Sequence, residues 1–410
     1  MNFIEKIWYW LESGFFVDID NLGKITKNVA IPEKISTTEV RPGLFLKKSN
    51  MSFSKDNVTN IYDLHFDPKK SPFVLDIFSS EDSYYLADTI QNDNIIVATV
   101  NGGFFYISDV PGPQPNDKRY NLCIQDSKLC GLPVTDDPIL YIRNGEFFAT
   151  KTKARGICQI GEQKISWLGA KSNVKKESTD VAILYNSRCF SINGVRDSKT
   201  NLIVGIPDER TKATPKNDSK IDLVVSKNNA DDLVITAINP GGGTHLYDGL
   251  FIFQTDKLQV KKIKVNDSVK PMTVDTIDLA NITSGMTIGR SVDDPCFYEP
   301  KRINRRDARA VIAKDKDGIM HFFVFDGSKY IPGFNGISAK DITPFFYPAY
   351  EWAFFLDGGA SARIIVRQTN GLLRHLANRF AYRKLQDGQI LWNWKRARKI
   401  YSSIALRITD

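Results

Sequence analysis

The chain has little cysteine and no long apolar run. Five cysteines occur in 410 residues, Cys123, Cys130, Cys158, Cys189 and Cys296. An odd number at this density argues against a disulfide framework. Cys123 and Cys130 flank a turn and are the pair to join if the chain is exported; plain reduced thiols are the other reading. There is no CxxC pairing and no HExxH string, so no zinc signature is present, and neither a metal nor a cofactor is expected. No segment approaches the length of a transmembrane helix. Low-complexity tracts and fixed-period repeats are also missing, which excludes a solenoid. The N-terminus, MNFIEKIWYWLESGFF, carries Glu5, Lys6 and Glu12 within its apolar part, so it is not a secretory signal. The cytoplasm is the default compartment, with export by a non-standard route left open. Phe3, Ile4, Ile7, Trp8 and Leu11 share one helical face, and Gly14 stands as a stop. Such a helix docks on the domain, or on a membrane surface or partner.

The composition is that of an ordinary globular chain, 42% hydrophobic and 25% charged. A net charge of +8 favours anionic partners without choosing among them. From about residue 40 onward, short β-rich runs dominate, among them NVTNIYDLHF, NIIVATV, ILYIR, IDLVVS, IMHFFVF and SARIIVR. Helices are expected at the N-terminus, over 80–93, and from Ser338, where Ser338 and Asp341 form a capping box and Pro344 and Pro348 shorten the helix. The expected fold class is α+β, with mixed sheets of short strands and few helices. Two polar stretches, 108–121 and 205–222, are expected as loops or insertions.

Four elements draw the chemistry. Asn101, Gly102 and Gly103 end one apolar strand, and Asp357, Gly358, Gly359, Ala360 and Ser361 end another. Glycine pairs after strands let backbone N–H groups approach a ligand, and ordinary tight turns have the same composition. INRRDARAVIAKDKDGIMHFFVFDG (303–327) reads as a hairpin with its turn at Asp315–Gly318, ending on Asp326 and Gly327. Arg309 leads its first strand and suits bidentate recognition of phosphate, whereas Arg305 and Arg306 read as surface charges. AINPGGGTHLYDG (237–249) lacks the P-loop and dinucleotide spacings; its His245 borders the site or is structural.

In order, VRPGLFL (40–46), VNGGFF (100–105), RAVIAKDKDG through VFDG (309–327) and FFLDGGAS (354–361) resemble the phosphodiester glycosidase family, over roughly residues 40–370. The resemblance implies hydrolysis of a sugar–phosphate diester at the anomeric carbon, with N-acetylglucosamine the sugar of the best-known member. It implies a domain over 40–370 enlarged at about 120–300, preceded by a helix and linker (1–39) and followed by a basic, aromatic extension (371–410). On its motifs Asn101, Gly102, Gly103, Gly358, Gly359 and Ser361 hold substrate, with His245 nearby. Arg309 and the loop amides hold phosphate, Asp357 is the catalytic carboxylate and Asp326 the second candidate. Three departures stand out: Ala310 for a common threonine, Ala313 for a common glycine, and Ala360 for the third glycine of its loop. A phosphodiesterase acting on nucleotides or nucleotide sugars, and a non-catalytic binder of phosphorylated glycans or nucleotides, are the alternative functions. A phosphodiester-bearing small molecule or glycan is the expected partner. Nucleic acid is not, since it accounts for none of the glycine loops, although the basic aromatic C-terminus could bind it.

Overall fold

A computed structural model describes residues 32–54, 57–103, 122–172, 174, 181–186, 213–246, 251–289, 291–293, 306–327, 335–346, 349–376, 381–384, 390–393 and 399–409. The expected N-terminal helix, the 108–121 loop, Arg305 and residues 205–212 of the 205–222 excursion lie outside these residues. The chain forms two compact units, 1–103 with 288–410, and 104–287.

The first unit contains two larger antiparallel sheets. Its strands are β1 (Pro32–Arg41), β2 (Leu44–Ser54), β3 (Asn57–Phe66), β4 (Phe73–Tyr84), β5 (Ile96–Asn101), β6 (Arg309–Asp315), β7 (Met320–Phe325), β8 (Tyr350–Phe355), β9 (Ile364–Arg367), β10 (Leu373–Leu376), β11 (Ala381–Lys384), β12 (Ile390–Asn393) and β13 (Ile400–Ile408). One sheet runs β1-β2-β3-β7-β6-β8 and the other β10-β9-β5-β13-β4, while β11 and β12 pair separately. The hairpin forms as its sequence predicts. Asp315 Oδ1 accepts the N–H groups of Asp317 and Ile319 at 2.9 Å each, closing the turn between β6 and β7.

Two helices flank these sheets, α1 (Leu86–Gln91) and α2 (Ala339–Phe346). Ser338 caps α2 by accepting the Asp341 N–H at 3.2 Å. The alternating positions Val311, Ala313, Phe323, Phe325, Ala353 and Phe355 form one face of the six-stranded sheet. They pack with Ile342 and Phe346 of α2 into one core cluster. On the opposite face Ala310, Ile312, Phe322, Val324 and Phe354 are buried as well.

In the second unit an eight-stranded sheet has Gln163–Gly169 parallel to Ala182–Tyr185 among otherwise antiparallel pairs. A five-stranded sheet is ordered Lys128–Gly131, Cys123–Gln125, Ile282–Thr287, Ile139–Arg143, Glu146–Thr150. Trp167, Phe251 and Phe253 lie at the core of this unit, and burial beside them pushes the Cys158 thiol pKa up.

The expected α+β class is corrected. Of the described residues 57% lie in strands and 8% in helices, which makes the fold β-rich. The reason is long-range strand pairing. The stretch expected as a helix over 80–93 gives its start, up to Tyr84, to β4, leaving α1 six residues long. The C-terminal segment carries β13, which lies inside its sheet and pairs with both β4 and β5. No helix among the described residues is long and apolar enough to cross a membrane.

Ile404 is 1% exposed at the middle of β13. Ile404→Ala is expected to lower unfolding free energy by about 2–5 kcal/mol, read from the shift of a urea transition.

Candidate active site

Three adjacent strands of the six-stranded sheet bring their chemistry to one end. Arg309 of β6 lies opposite Phe325 of β7, and Val311 lies opposite Phe355 of β8. Asp326 directly follows β7 and Asp357 follows β8 by one residue, so both carboxylates lie at the end where Arg309 begins β6. In the other sheet β5 ends on Asn101, which pairs with Ser403 of β13.

Asn101 joins the two glycine loops. Its side chain is fully buried. Nδ2 donates to the Asp357 carbonyl at 2.7 Å, and Oδ1 accepts the Arg363 N–H at 3.0 Å. The Asp357 N–H donates to the Gly102 carbonyl at 2.9 Å, completing the tie. Gly102 is there because nothing larger fits: a Cβ would lie 2.6 Å from the Ser402 carbonyl carbon and 2.7 Å from its oxygen. Its own N–H donates to that oxygen at 2.8 Å.

On the other side the Asp357 loop runs against the start of β6. The Gly359 N–H donates to the Ala308 carbonyl at 2.8 Å, and the Leu356 N–H to the Ala310 carbonyl at 2.9 Å. A Cβ on Gly358 would sit 3.3 Å from Arg309 Nη1 and 3.0 Å from the Ala308 oxygen. Glycine at 358 therefore lets the loop pack closely against the guanidinium. Gly359 has φ +60° and looks onto the Asp307 carboxylate, which would lie 3.6 Å from a Cβ at this position. Ser361 is 2% exposed, and its Oγ makes no hydrogen bond among the described residues.

Burial separates the carboxylates. Asp357 and Arg309 are half-buried, whereas Asp326 is 1% exposed and Asp307 is 4% exposed. Asp326 Oδ1 accepts the Gly327 N–H at 2.8 Å, and Asp307 Oδ1 accepts the Ala308 N–H at 3.1 Å. Nothing in the sequence singles out Asp307, because it precedes its strand in a run of charges, RRDAR. Arg306, expected as a surface charge, is half-buried and pairs with Asp341 at the start of α2, Nη2 to Oδ2 2.9 Å.

Several amides assigned to phosphate already have acceptors within the chain. Beyond those of Gly102 and Gly359, the Gly358 N–H donates to Asp357 Oδ1 at 3.0 Å and the Asn101 N–H to the Arg363 carbonyl at 3.4 Å. Of the departures, Ala310 and Ala313 are fully buried, while the side chain of Ala360 lies outside those described. His245 belongs to the second unit, exposed, bridged to Ala213 beyond the left-handed turn of Gly241, Gly242 and Gly243.

Comparison with known proteins adds an independent line. The phosphodiester glycosidase family matches residues 190–392. The motif resemblance holds. That match takes in Arg309, Asp326 and the Asp357 loop, and it leaves out the Asn101 loop. A hypothetical protein from Synechocystis is similar in structure, with TM-score 0.54 and 13% identity over 92% of this chain; the chain spans 64% of that protein's length. A Burkholderia pseudomallei protein whose description suggests export has TM-score 0.50 and 15% identity, covering 87% of this chain and 75% of its own. At such identities the likeness is one of fold. The zebrafish N-acetylglucosamine-1-phosphodiester alpha-N-acetylglucosaminidase catalytic domain, auto-inhibited by its pro-peptide, is 12% identical over 93% of this chain and 85% of its own, with TM-score 0.37. No curated protein matches the sequence.

Replacing Asn101 by alanine leaves the Asp357 carbonyl and the Arg363 N–H without their buried partner. Each such group costs about 1–3 kcal/mol. Asn101→Ala is therefore expected to lose several kcal/mol in chemical denaturation, and Gly102→Ala about 1–3 kcal/mol from overpacking against Ser402.

Proposed function

We propose that the chain is a phosphodiester glycosidase that hydrolyses a sugar–phosphate diester at the anomeric carbon. The observation that carries this reading is the Gly358 loop, which packs against the half-buried Arg309 guanidinium on one side and carries the half-buried Asp357 carboxylate, bonded to the Gly358 N–H, on the other. An anionic phosphate suits the Arg309 fork, and the sugar then lies toward Asp357. The buried Ser361 hydroxyl, without a partner among the described residues, supplies a further donor at the same loop. Because most loop amides are engaged in holding the loops, this reading rests phosphate binding on Arg309 more than on the backbone.

In the reaction the bond between the anomeric carbon and the bridging oxygen breaks. Its electron pair leaves with the phosphate monoester, and Arg309 balances the charge that gathers there. Water forms the new bond to the anomeric carbon and gives its proton to Asp357, whose negative charge also favours the oxocarbenium-like transition state. A phosphate monoester is a good leaving group, so little acid assistance is needed. Asp326 and Asp307, buried beneath the loops, act as positioning residues for β7 and β6.

Asp357→Asn keeps an oxygen for the Gly358 N–H and removes the charge. Its kcat on a sugar-1-phosphodiester is expected to fall about 10²–10⁴-fold with KM little changed. In ¹⁸O-water the label should enter the sugar. Label in the phosphate would place the cleavage at P–O and overturn the glycosidase reading, and saturable binding without turnover would make the chain a binding module.

A further inference from the structure

A second cluster of ionisable groups lies toward the other end of the six-stranded sheet. β3 and β7 pair with His65 opposite His321 and Asp63 opposite Phe323. The two-residue period then places Asp63, His65 and His321 on one face. Asp63 Oδ1 is 2.9 Å from His321 Nδ1, and Asp63 Oδ2 is 3.5 Å from His65 Nδ1. All three ligand atoms lie within 4.8 Å of one another. On its far side His321 Nε2 meets Asp315 Oδ2 at 3.3 Å. The His65 Nδ1 atom is buried and makes no hydrogen bond among the described residues.

We propose that Asp63, His65 and His321 bind one divalent transition-metal ion of the zinc type, with Asp315 orienting His321 from behind. A tetrahedral ion with bonds of about 2.0–2.1 Å holds its ligand atoms about 3.3 Å apart. The separations from Asp63 to the two rings, 2.9 Å through Oδ1 and 3.5 Å through Oδ2, fall on either side of that spacing. Two imidazoles with one carboxylate select borderline metals over calcium or magnesium, which prefer oxygen. A ligating histidine whose other nitrogen meets a carboxylate is the usual supporting arrangement, and Asp315 supplies it.

Charge balance points the same way. Asp63 and Asp315 bring two negative charges around two rings. A proton on His321 offsets one carboxylate; a dication offsets both. His65 has a side chain 22% exposed, which leaves a route for the ion to enter and a fourth position open to water. Four residues of β7 separate His321 from Phe325, about 13 Å along the strand. The ion is therefore a pin rather than a reactant. It fastens β3 to β7, the pairing that joins the 32–66 strands to those bearing Arg309 and Asp357.

The test uses the full chain freed of metal with EDTA and titrated with Co²⁺, then Zn²⁺. One equivalent of Co²⁺ should give visible ligand-field bands of a low-coordinate nitrogen–oxygen site, displaced by Zn²⁺, and each metal should raise the thermal midpoint. His65→Gln should abolish the bands and the metal-dependent rise, and Asp315→Asn should weaken Zn²⁺ binding about 10–100-fold. Absence of saturable binding, or equal binding by His65→Gln, overturns the site. Should His65→Gln fail to fold, X-ray absorption of the Zn²⁺-loaded native chain decides. Two imidazole scatterers support the assignment, and an all-oxygen shell overturns it.

Discussion

Asn101 is the residue on which the candidate site depends. It is a fully buried amide with both of its polar atoms bonded to the Asp357 loop, and it stands at the end of a central strand of the other sheet. An amide is suited to this because it donates and accepts at once. Aspartate in its place would accept from Arg363 and face the Asp357 carbonyl with a second acceptor, and leucine would satisfy neither group. Through that one side chain, the position of Asp357, the carboxylate proposed as catalytic, is set by two sheets rather than by a loop alone. Preorganisation of this kind is what electrostatic catalysis needs, since donors and charges that are already placed do not have to reorganise when the reaction occurs.

The glycines on either side serve the same constraint. Gly102 lets β13 come close enough for its Ser402 carbonyl to take the loop N–H, and Gly358 lets Arg309 pass beside the loop. They look alike in sequence and serve different neighbours. Gly102 packs on Ser402 and gives its N–H to that residue's carbonyl, whereas Gly358 packs on Ala308 and Arg309 and gives its N–H to Asp357 Oδ1. Behind them the faces of Phe323, Phe325 and Phe346 meet edge-on, with ring centroids 5.0 Å apart for Phe323 with Phe346 and 6.1 Å for Phe325 with Phe346. That packing between α2 and the sheet holds β6 and β7 in a fixed register beneath the site.

How much of this is readable from the sequence depends on range. The β6–β7 hairpin is legible because its turn chemistry and alternation are local, down to Asp315 in the turn. The order of the two glycine loops and Arg309 is legible through motifs. The helix content is not: SEDSYYLADTIQND has helix-forming residues, yet pairing with β13 draws its start, up to Tyr84, into a strand. That partner lies more than 300 residues away, so tertiary pairing overrides propensity there. Asp307 escapes notice for lack of any local signal, and the His65–His321 pair does so for the same reason. Each histidine sits in an unremarkable alternating strand, and only the register of β3 on β7 brings them face to face.

The departures at Ala310 and Ala313 read differently once their places are known. A hydroxyl at 310 would enter a face where Ile312, Val324 and Phe354 are buried, and it would require an acceptor there. Alanine avoids that cost. At 313 the methyl group joins the core under α2 with Val311, Phe323 and Ala353. Both departures therefore adjust packing within the sheet rather than in the Asp357 loop. The carboxylates divide along the same line, since a group that must meet water and substrate has to be reachable. Among Asp307, Asp326 and Asp357, only Asp357 combines partial exposure with a loop held from both sides, which is why the reaction is assigned to it and the other two are left to hold the strands that place Arg309.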